Sequence, residues 1–257
     1  MRRLAALALL AAAPLAPGAA DAQVVADSFD ILLPQPPRRD HRVALLLATP
    51  APGRALPAVL ILPDEAGLDG RTARLADAML ARGWVSIEVD PDPPAPDGAP
   101  APAPPTPSRL GLLLRALREA LLRDERIDPR RIAVIGLGPG GRAAIHAALG
   151  DGRPGFAAHA ALYPDCAALA AGQAAPVEAP ALLLLPGAEE PAGACDGLGA
   201  GVARLEDATY GWDLAAAAGL RRWTAAGSTP IRSDLAASQA AEAALVGFLA
   251  EAFSRAR

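Results

Sequence analysis

The segment Arg131-Ile-Ala-Val-Ile-Gly-Leu-Gly-Pro-Gly-Gly-Arg142 decides the fold. Its first half is a short run of branched apolar residues, which is typical of a buried strand. Its second half concentrates glycines into a tight turn, and a helical pattern follows over residues 142–149. A strand, a turn and a helix in direct succession form the repeating unit of a parallel sheet whose faces are covered by helices.

Similar units surround this segment. Apolar runs predict parallel strands over 58–62, 84–89, 131–135, 156–163, 181–185 and 202–205. Amphipathic patterns predict helices over 71–82, from Ser108 to about Leu121, over 142–149, and from about Ser233 to the end. Two strands over 29–33 and 41–47 have no helix between them and predict an antiparallel N-terminal edge. The predicted class is therefore α/β, with a mostly parallel, doubly wound sheet and helices on both faces.

Local signals support two of these helices. Gly83 stands where a glycine ends a helix in the left-handed conformation. Ser108 is a suitable N-cap for the following helix. That helix has a leucine stripe that we expect to be buried, formed by Leu110, Leu113, Leu114, Leu117 and Leu121.

The N-terminus has the pattern of a secretory signal peptide. Met1-Arg2-Arg3 is followed by a short apolar run and by the small-residue site Ala20-Asp21-Ala22. The run is shorter than the roughly 20 residues that span a bilayer, so we expect no membrane span. Cleavage near Ala22-Gln23 makes residues 1–22 the signal peptide and places the protein in the periplasm or outside the cell.

The remaining residues, 23–257, predict one domain of ordinary size. Within it, residues 91–107 are rich in proline and alanine and predict an extended surface loop. The net charge of -4 argues against a nucleic-acid partner, which would require clustered positive charge.

The chain has two cysteines, Cys166 and Cys195. In an exported protein such a pair predicts a disulfide, with two buried free thiols as the alternative. Two thiols without nearby histidines are a poor zinc site, and we expect neither a metal nor a cofactor.

The glycine-rich turn admits two functional interpretations. Residues Gly136 to Gly140 have the frame of a nucleophile elbow, G-x-S-x-G, with Gly138 at the position of the nucleophile. Gly136, Gly138 and Gly141 also satisfy the dinucleotide fingerprint G-x-G-x-x-G, for which Asp165 is a loose candidate for the acidic residue. A third possibility is that the glycines only permit a tight turn and close helix packing.

Five segments occur in an order that distinguishes between these interpretations. They are Pro57–Leu68, Leu75–Asp90, Ile127–Gly136, Phe156–Cys166 and Pro180–Gly187. Together, over about residues 40 to 250, they resemble the dienelactone hydrolase family of α/β-hydrolases, especially its exported members. The resemblance implies an α/β-hydrolase fold and a triad in the order nucleophile, acid, histidine.

The positions implied by the resemblance do not carry the triad. The nucleophile position is Gly138, the acid position is Glu190 or, with a different gap, Glu189, and the histidine position is Tyr210. The loop that resembles the family's oxyanion loop contains Asp64 and Glu65, whose charges would disfavour an anionic intermediate.

The histidines give an argument that is independent of the resemblance. The chain has only His41, His146 and His159, and none follows the acid position. We expect His41 to be solvated and the other two to be packed, because one lies on a helix and the other within a strand.

The sequence thus predicts a catalytically inactive protein of this fold that acts as a binding protein or scaffold for a small molecule or protein. One alternative is an active ester or lactone hydrolase that uses Asp64, Glu65, Glu190 or Tyr210. The other is dinucleotide binding at the glycine-rich turn. Whether Tyr210 and Trp212 fill the pocket is left open.

Overall fold

An eight-stranded sheet forms the centre of the molecule. The computed structural model describes residues 24–35, 39–49, 55–91, 107–148, 155–171, 177, 179–191, 193–224 and 227–256. The strands of the sheet are β1 (Val25–Gln35), β2 (Arg39–Thr49), β3 (Leu56–Leu62), β4 (Val85–Asp90), β5 (Ile127–Leu137), β6 (Ala158–Leu162), β7 (Ala181–Pro186) and β8 (Gly201–Leu205). Their order across the sheet is β1-β2-β4-β3-β5-β6-β7-β8.

Five α-helices, a short 3-10 helix (Ala215–Ala217) and a separate hairpin are the other elements of the described residues. The helices are α1 (Gly70–Ala81), α2 (Pro107–Leu121), α3 (Gly138–His146), α4 (Cys166–Ala171) and α5 (Leu235–Arg255). The hairpin pairs β9 (Arg221–Thr224) with β10 (Gly227–Pro230).

The pairing of the strands confirms the predicted fold class. The strands from β3 to β8 run parallel to one another, and β2 is antiparallel to both β1 and β4. The predicted antiparallel N-terminal edge is therefore present, with strands longer than expected at 11 residues each.

Alternation along the strands distributes the core over two layers. In β3, Val59 and Ile61 pack with α1 and α5 on one face, whereas Leu60 and Leu62 pack with α2 and α3 on the other. Successive side chains of a strand point to opposite faces, so a strand that is apolar throughout is buried on both sides. The predicted leucine stripe of α2 is buried as expected.

Several element boundaries differ from the predictions. Helix α3 begins at Gly138 rather than Arg142, because the glycines of the turn already adopt the first helical turn. Helix α2 begins at Pro107, so Ser108 lies inside the helix and is not the flanking N-cap. Within the predicted loop, Pro107 is thus helical, and residues 92–106 lie outside the described residues.

The end of α1 was predicted correctly, whereas the residue that caps its start was not predicted. Gly83 has φ +73°, in the left-handed region expected for a glycine after a helix. At the other end Asp69 is the N-cap and accepts a hydrogen bond from the backbone N–H of Arg71 at 2.8 Å. This cap brings the Arg71 side chain to the carboxyl edge of the sheet.

The predicted signal peptide, residues 1–22, lies outside the described residues. Across the part of the chain that the structure does describe, none of the helices combines the length and apolar character needed to cross a membrane.

Candidate functional site

The turn between β5 and α3 has the backbone of a nucleophile elbow. The strand ends at Leu137 and the helix begins at the next residue, Gly138, whose φ is +48°. The central residue of such an elbow adopts a strained conformation so that its side chain points out of the turn. Gly138 meets this requirement without a Cβ atom and therefore without strain.

The neighbouring glycines are required by close packing. A Cβ atom at Gly141 would lie 2.8 Å from the carbonyl oxygen of Gly136 and 2.9 Å from the Cβ of Ala161. At Gly140 it would collide with the carbonyl oxygen of Pro63, and at Gly136 with the backbone of Gly140. Side chains at these three positions are therefore excluded by the protein itself.

Tyr210 occupies the space that a nucleophile would need. A Cβ atom at Gly138 would collide with the hydroxyl oxygen of Tyr210 and would lie 3.3 Å from the Cβ of Asp64. The hydroxyl of Tyr210 thus occupies the space into which a side chain at residue 138 would extend. Only glycine fits at residue 138 while Tyr210 is in place.

Pro139 follows Gly138 in the turn, a feature that the sequence analysis missed. In an elbow of this kind, the residue after the nucleophile donates its backbone N–H to the oxyanion. Here that residue is Pro139, the second residue of α3, and proline has no N–H. The signal was visible in the sequence as the fourth letter of Gly136-Leu-Gly-Pro139.

The hydroxyl of Tyr210 is buried and protonated. The residue is 6% exposed, and the hydroxyl donates to Glu65 Oε2 at 3.4 Å. Burial, with a smaller contribution from the charges of Glu65 and Asp64, raises the pKa of Tyr210 above its usual value. A phenol with a raised pKa does not provide a phenolate base at neutral pH.

Neither candidate acid orients the tyrosine hydroxyl. Glu189 Oε1 accepts the backbone N–H of Tyr210 at 2.7 Å, and Glu190 Oε1 accepts the backbone N–H of Cys166 at 3.0 Å. Burial raises the pKa of Glu190, and the charges of Asp165 and Glu189 add to this effect. Both carboxylates therefore support the backbone of the loops in which a triad would lie.

Asp64 is neutralised by an arginine. The side chains of Arg71 and Asp64 are 2% and 3% exposed and form a bidentate pair, with N–O distances of 2.5 and 2.8 Å. Burial lowers the pKa of Arg71, but hydrogen bonds to Asp64 and Asp69 outweigh burial and raise it. Asp64 therefore does not present a free charge to the site, whereas Glu65 is exposed.

A second buried carboxylate lies behind this pair. The hydroxyl of Tyr163 accepts a hydrogen bond from Arg71 at 3.2 Å and donates to Asp213 Oδ1 at 3.0 Å. Asp213 also lies 3.6 Å from Arg74. Burial raises the pKa of Asp213. The ring of Trp212 packs against Tyr163, with centroids 4.8 Å apart, so Trp212 lies in the core and Tyr210 fills the elbow.

Arg222 covers the other side of Tyr210. Its guanidinium carbon lies 4.0 Å from the centroid of the Tyr210 ring. Its nitrogens lie 3.3 Å from Glu189 and 3.4 Å from Asp165. Tyr163, Asp213 and Arg222 had no signal in the sequence analysis, because each acquires its role through partners that are distant in the chain. Arg71 was missed although its carboxylate partners, Asp64 and Asp69, precede it by only 7 and 2 residues.

The histidines lie away from this arrangement. His159, within β6, is fully buried, and burial lowers its pKa to about 4. His146 is the last residue of α3, and burial also lowers its pKa. Both are packed as predicted, and the side chain of His41 lies outside the described residues.

The two cysteines form a disulfide, Cys166–Cys195, with their Cα atoms 5.3 Å apart. Residue 166 begins α4 and residue 195 follows β7, so the bridge connects the loops that hold Glu190 and Asp165. Among the described residues, no group of three or more histidine, cysteine or acidic side chains could hold a metal ion.

Comparison with known proteins identifies the fold. No family model matches the chain, and no curated protein matches it in sequence. Among solved structures, a dienelactone hydrolase-like promiscuous phosphotriesterase from metagenomic libraries has a TM-score of 0.61 at 14% identity, over 89% of this chain and 98% of that chain. A sugar hydrolase from Lactococcus lactis has a TM-score of 0.62 at 12% identity, over 89% and 100%.

A fungal esterase from Rhizomucor miehei is similar to a comparable degree, with a TM-score of 0.61 at 13% identity, over 91% of this chain and 84% of that chain. At these identities the likeness shows the fold alone. The chain has the α/β-hydrolase fold, as the resemblance to dienelactone hydrolases implied.

Proposed function

We propose that the protein is an exported, dienelactone hydrolase-like member of this fold that has lost catalysis and acts by binding a small molecule or a protein. One observation carries the proposal: the hydroxyl of Tyr210 stands where the side chain of a nucleophile at residue 138 would begin. Glycine offers no atom that could attack a carbonyl, and the tyrosine leaves no room for one.

The surrounding chemistry supports the same conclusion. Pro139 has no N–H to offer an oxyanion, and Asp64 in the adjoining loop is held by Arg71. A site that lacks its nucleophile and base can retain some catalysis through its oxyanion hole. Here one of the two backbone donors of that hole, the N–H of the residue after the nucleophile, is missing as well, so we expect little residual rate.

Export is part of the proposal. The pattern of residues 1–22 is that of a signal peptide, and the Cys166–Cys195 bridge is compatible with an oxidising compartment. Mass spectrometry of the protein recovered from the periplasm or medium would check both, because a chain beginning near Gln23 with one disulfide is expected.

A hydrolase with relocated residues is the alternative. It would need a carboxylate with free oxygens beside a space for water. Asp64 has both oxygens on Arg71, and Glu190 accepts a backbone N–H, so each is already engaged. Glu65 is exposed and, within the described part of the chain, shares with the site the hydrogen bond that it accepts from Tyr210. These contacts favour the inactive protein.

Dinucleotide binding at Gly136, Gly138 and Gly141 is less well supported. The close approaches of Gly141 and Gly138 are to Ala161 and Tyr210, so packing accounts for these glycines without a ligand. A change in melting temperature on addition of a nicotinamide or flavin nucleotide would favour this alternative.

The deciding experiment is a hydrolysis assay with an aryl acetate, a lactone and an aryl phosphotriester. We expect no rate above buffer for the wild-type protein. As a matched control, Tyr210→Phe removes the hydroxyl that contacts Glu65 and should also be inactive. A wild-type rate that disappears in Tyr210→Phe or Glu65→Gln would overturn the proposal and establish relocated chemistry.

A further inference from the structure

The side chain of Arg222 contacts an aromatic ring and two carboxylates, as a bound guanidinium ligand would. Its planar guanidinium lies 4.0 Å from the centroid of the Tyr210 ring and places one nitrogen near Glu189, at 3.3 Å, and another near Asp165, at 3.4 Å. An aromatic face with carboxylates beside it is the arrangement that recognises a guanidinium group, through cation–π attraction and charge-assisted hydrogen bonds.

The three groups around Arg222 are positioned by the body of the protein. Tyr210, Glu189 and Asp165 lie in the loops after β8, β7 and β6, whose carboxyl ends meet at one edge of the sheet. In open α/β sheets, ligands bind at this edge.

Each carboxylate also has an anchor that is independent of Arg222. Glu189 uses Oε1 for the backbone N–H of Tyr210, and Asp165 uses Oδ1 for the backbone N–H of Ala168. The second oxygen of each is the one that faces Arg222. These hydrogen bonds therefore position Glu189 and Asp165 independently of Arg222.

The hairpin that carries Arg222 is weakly attached. Among the described residues, both ion pairs between β9–β10 and the body are made by Arg222. On the outer side of the hairpin, the Arg221 side chain donates to Ser228 of the same hairpin, and Trp223 is 78% exposed. Partly exposed ion pairs contribute up to about 1 kcal/mol each, so little free energy holds the arginine in place.

We propose that Tyr210, Glu189 and Asp165 form a binding site for the guanidinium group of a ligand, and that Arg222 occupies this site as an internal ligand. The inference rests on the proposed function, since it names the ligand chemistry of a binding protein. The charge of Glu190 interacts with those of Asp165, Glu189 and Arg222, so removal of Arg222 leaves a net negative charge at the site. A ligand with an arginine-like group displaces the hairpin and takes the place of Arg222.

Arg222 competes with the guanidinium group of a ligand for the same site. A group tethered by a short segment has an effective concentration on the order of millimolar, so a free guanidinium group binds the wild-type protein weakly. Replacement of Arg222 removes this competitor. We expect methylguanidinium to bind Arg222→Ala about tenfold or more tightly than the wild type.

The experiment is an NMR titration of the full mature chain with methylguanidinium. The backbone amide of Tyr210 is the reporter, because it donates to Glu189 next to the site. The matched control is Arg221→Ala, which removes a guanidinium from the outer face of the same hairpin and should bind the probe as weakly as the wild type. Urea, which is planar but uncharged, should leave the Tyr210 amide unshifted in all proteins.

A further variant tests the carboxylate. In the Arg222→Ala background, Glu189→Gln keeps an oxygen for the Tyr210 amide and removes the charge, so binding of methylguanidinium should be lost. Equal affinities of Arg222→Ala, Arg221→Ala and wild type, or binding that survives Glu189→Gln, would overturn the inference. If Arg222→Ala does not fold, Arg222→Gln provides the same comparison.

The two proposals fail separately. Ester hydrolysis measured on the same samples addresses the proposed function and leaves the guanidinium site untouched. Absence of probe binding in a protein without hydrolysis removes the guanidinium site alone.

Discussion

Arg71 and Arg222 both lie near Tyr210, and their surroundings differ. Arg71 is 2% exposed and holds Asp64 at 2.5 and 2.8 Å. Arg222 is 22% exposed and lies 3.3 and 3.4 Å from Glu189 and Asp165. The first guanidinium lies within the protein below the elbow, and the second lies over Tyr210 beneath a surface hairpin.

The difference in burial determines what each arginine can do. In the interior, water does not screen a charge, so removing one partner leaves the other unpaired in a medium of low dielectric constant. Near the surface, water replaces a lost partner at little cost. The Arg71 pair is therefore part of the fold, whereas the Arg222 contacts can be exchanged for a ligand.

The largest expected effect is that of Arg71→Leu. It leaves Asp64 buried without its cation, and we expect a loss of about 3–5 kcal/mol in the free energy of unfolding. Urea denaturation measures this loss. Arg71→Leu combined with Asp64→Leu should recover most of it, and a double variant no more stable than the single one would contradict the role of the pair.

An acid titration tests the contribution of a buried histidine, His159, which takes part in neither set of ion pairs. Burial lowers the pKa of His159 from its ordinary 6.5 to about 4. Between pH 6.5 and 4, the imidazole of His159 is protonated in the unfolded chain but not in the folded protein. The contribution of His159 to the free energy of unfolding is therefore fully present above pH 6.5 and is lost as the pH falls from 6.5 to 4. The shift corresponds to about 3 kcal/mol.

His159→Leu removes this acid dependence and leaves the carbonyl of Pro180 satisfied by the backbone N–H of residue 159. Denaturant midpoints at pH 7 and pH 4.5 should differ less in the variant than in the wild type. An unchanged difference would show that the acid sensitivity comes from the carboxylates instead.

The turn at Gly138 adjoins the surroundings of both arginines. Asp64, which pairs with Arg71, and Tyr210, which Arg222 covers, both border Gly138. We expect Gly138→Ala to destabilise the protein by about 1–3 kcal/mol, from the collision with Tyr210 and from the positive φ. The same substitution in a Tyr210→Phe background should be less damaging, since the colliding oxygen is gone. A double-mutant cycle measures the coupling, and strict additivity would contradict the contact.

The smallest effect is that of Arg222→Ala. Its two partly exposed ion pairs predict a loss of at most about 2 kcal/mol, which is less than the loss expected for Arg71→Leu. Thermal unfolding beside Arg221→Ala provides the comparison. A loss as large as that of Arg71→Leu would show that Arg222 is a structural residue and would argue against its role as an internal ligand that an external ligand can replace.

The parallel sheet could be predicted because its signal is local. An apolar run such as 132–135 is buried on both faces wherever it lies in the sheet, and the glycine at residue 138 was readable in the same segment. Pro139 was equally readable and was missed. The hairpin β9–β10 was not predicted, since its short strands are half exposed and lack an apolar pattern.

The amino-acid sequence by itself determined the order of strands and helices, the glycine at the elbow, and the absence of a histidine late in the chain, because these are properties of composition and of neighbouring residues. Only the tertiary structure decided that the hydroxyl of Tyr210 lies against Gly138 and that Arg222 covers the ring of Tyr210. The physical reason is that these contacts join side chains whose distance is set by how the strands are ordered in the sheet and how the loops pack at their carboxyl ends.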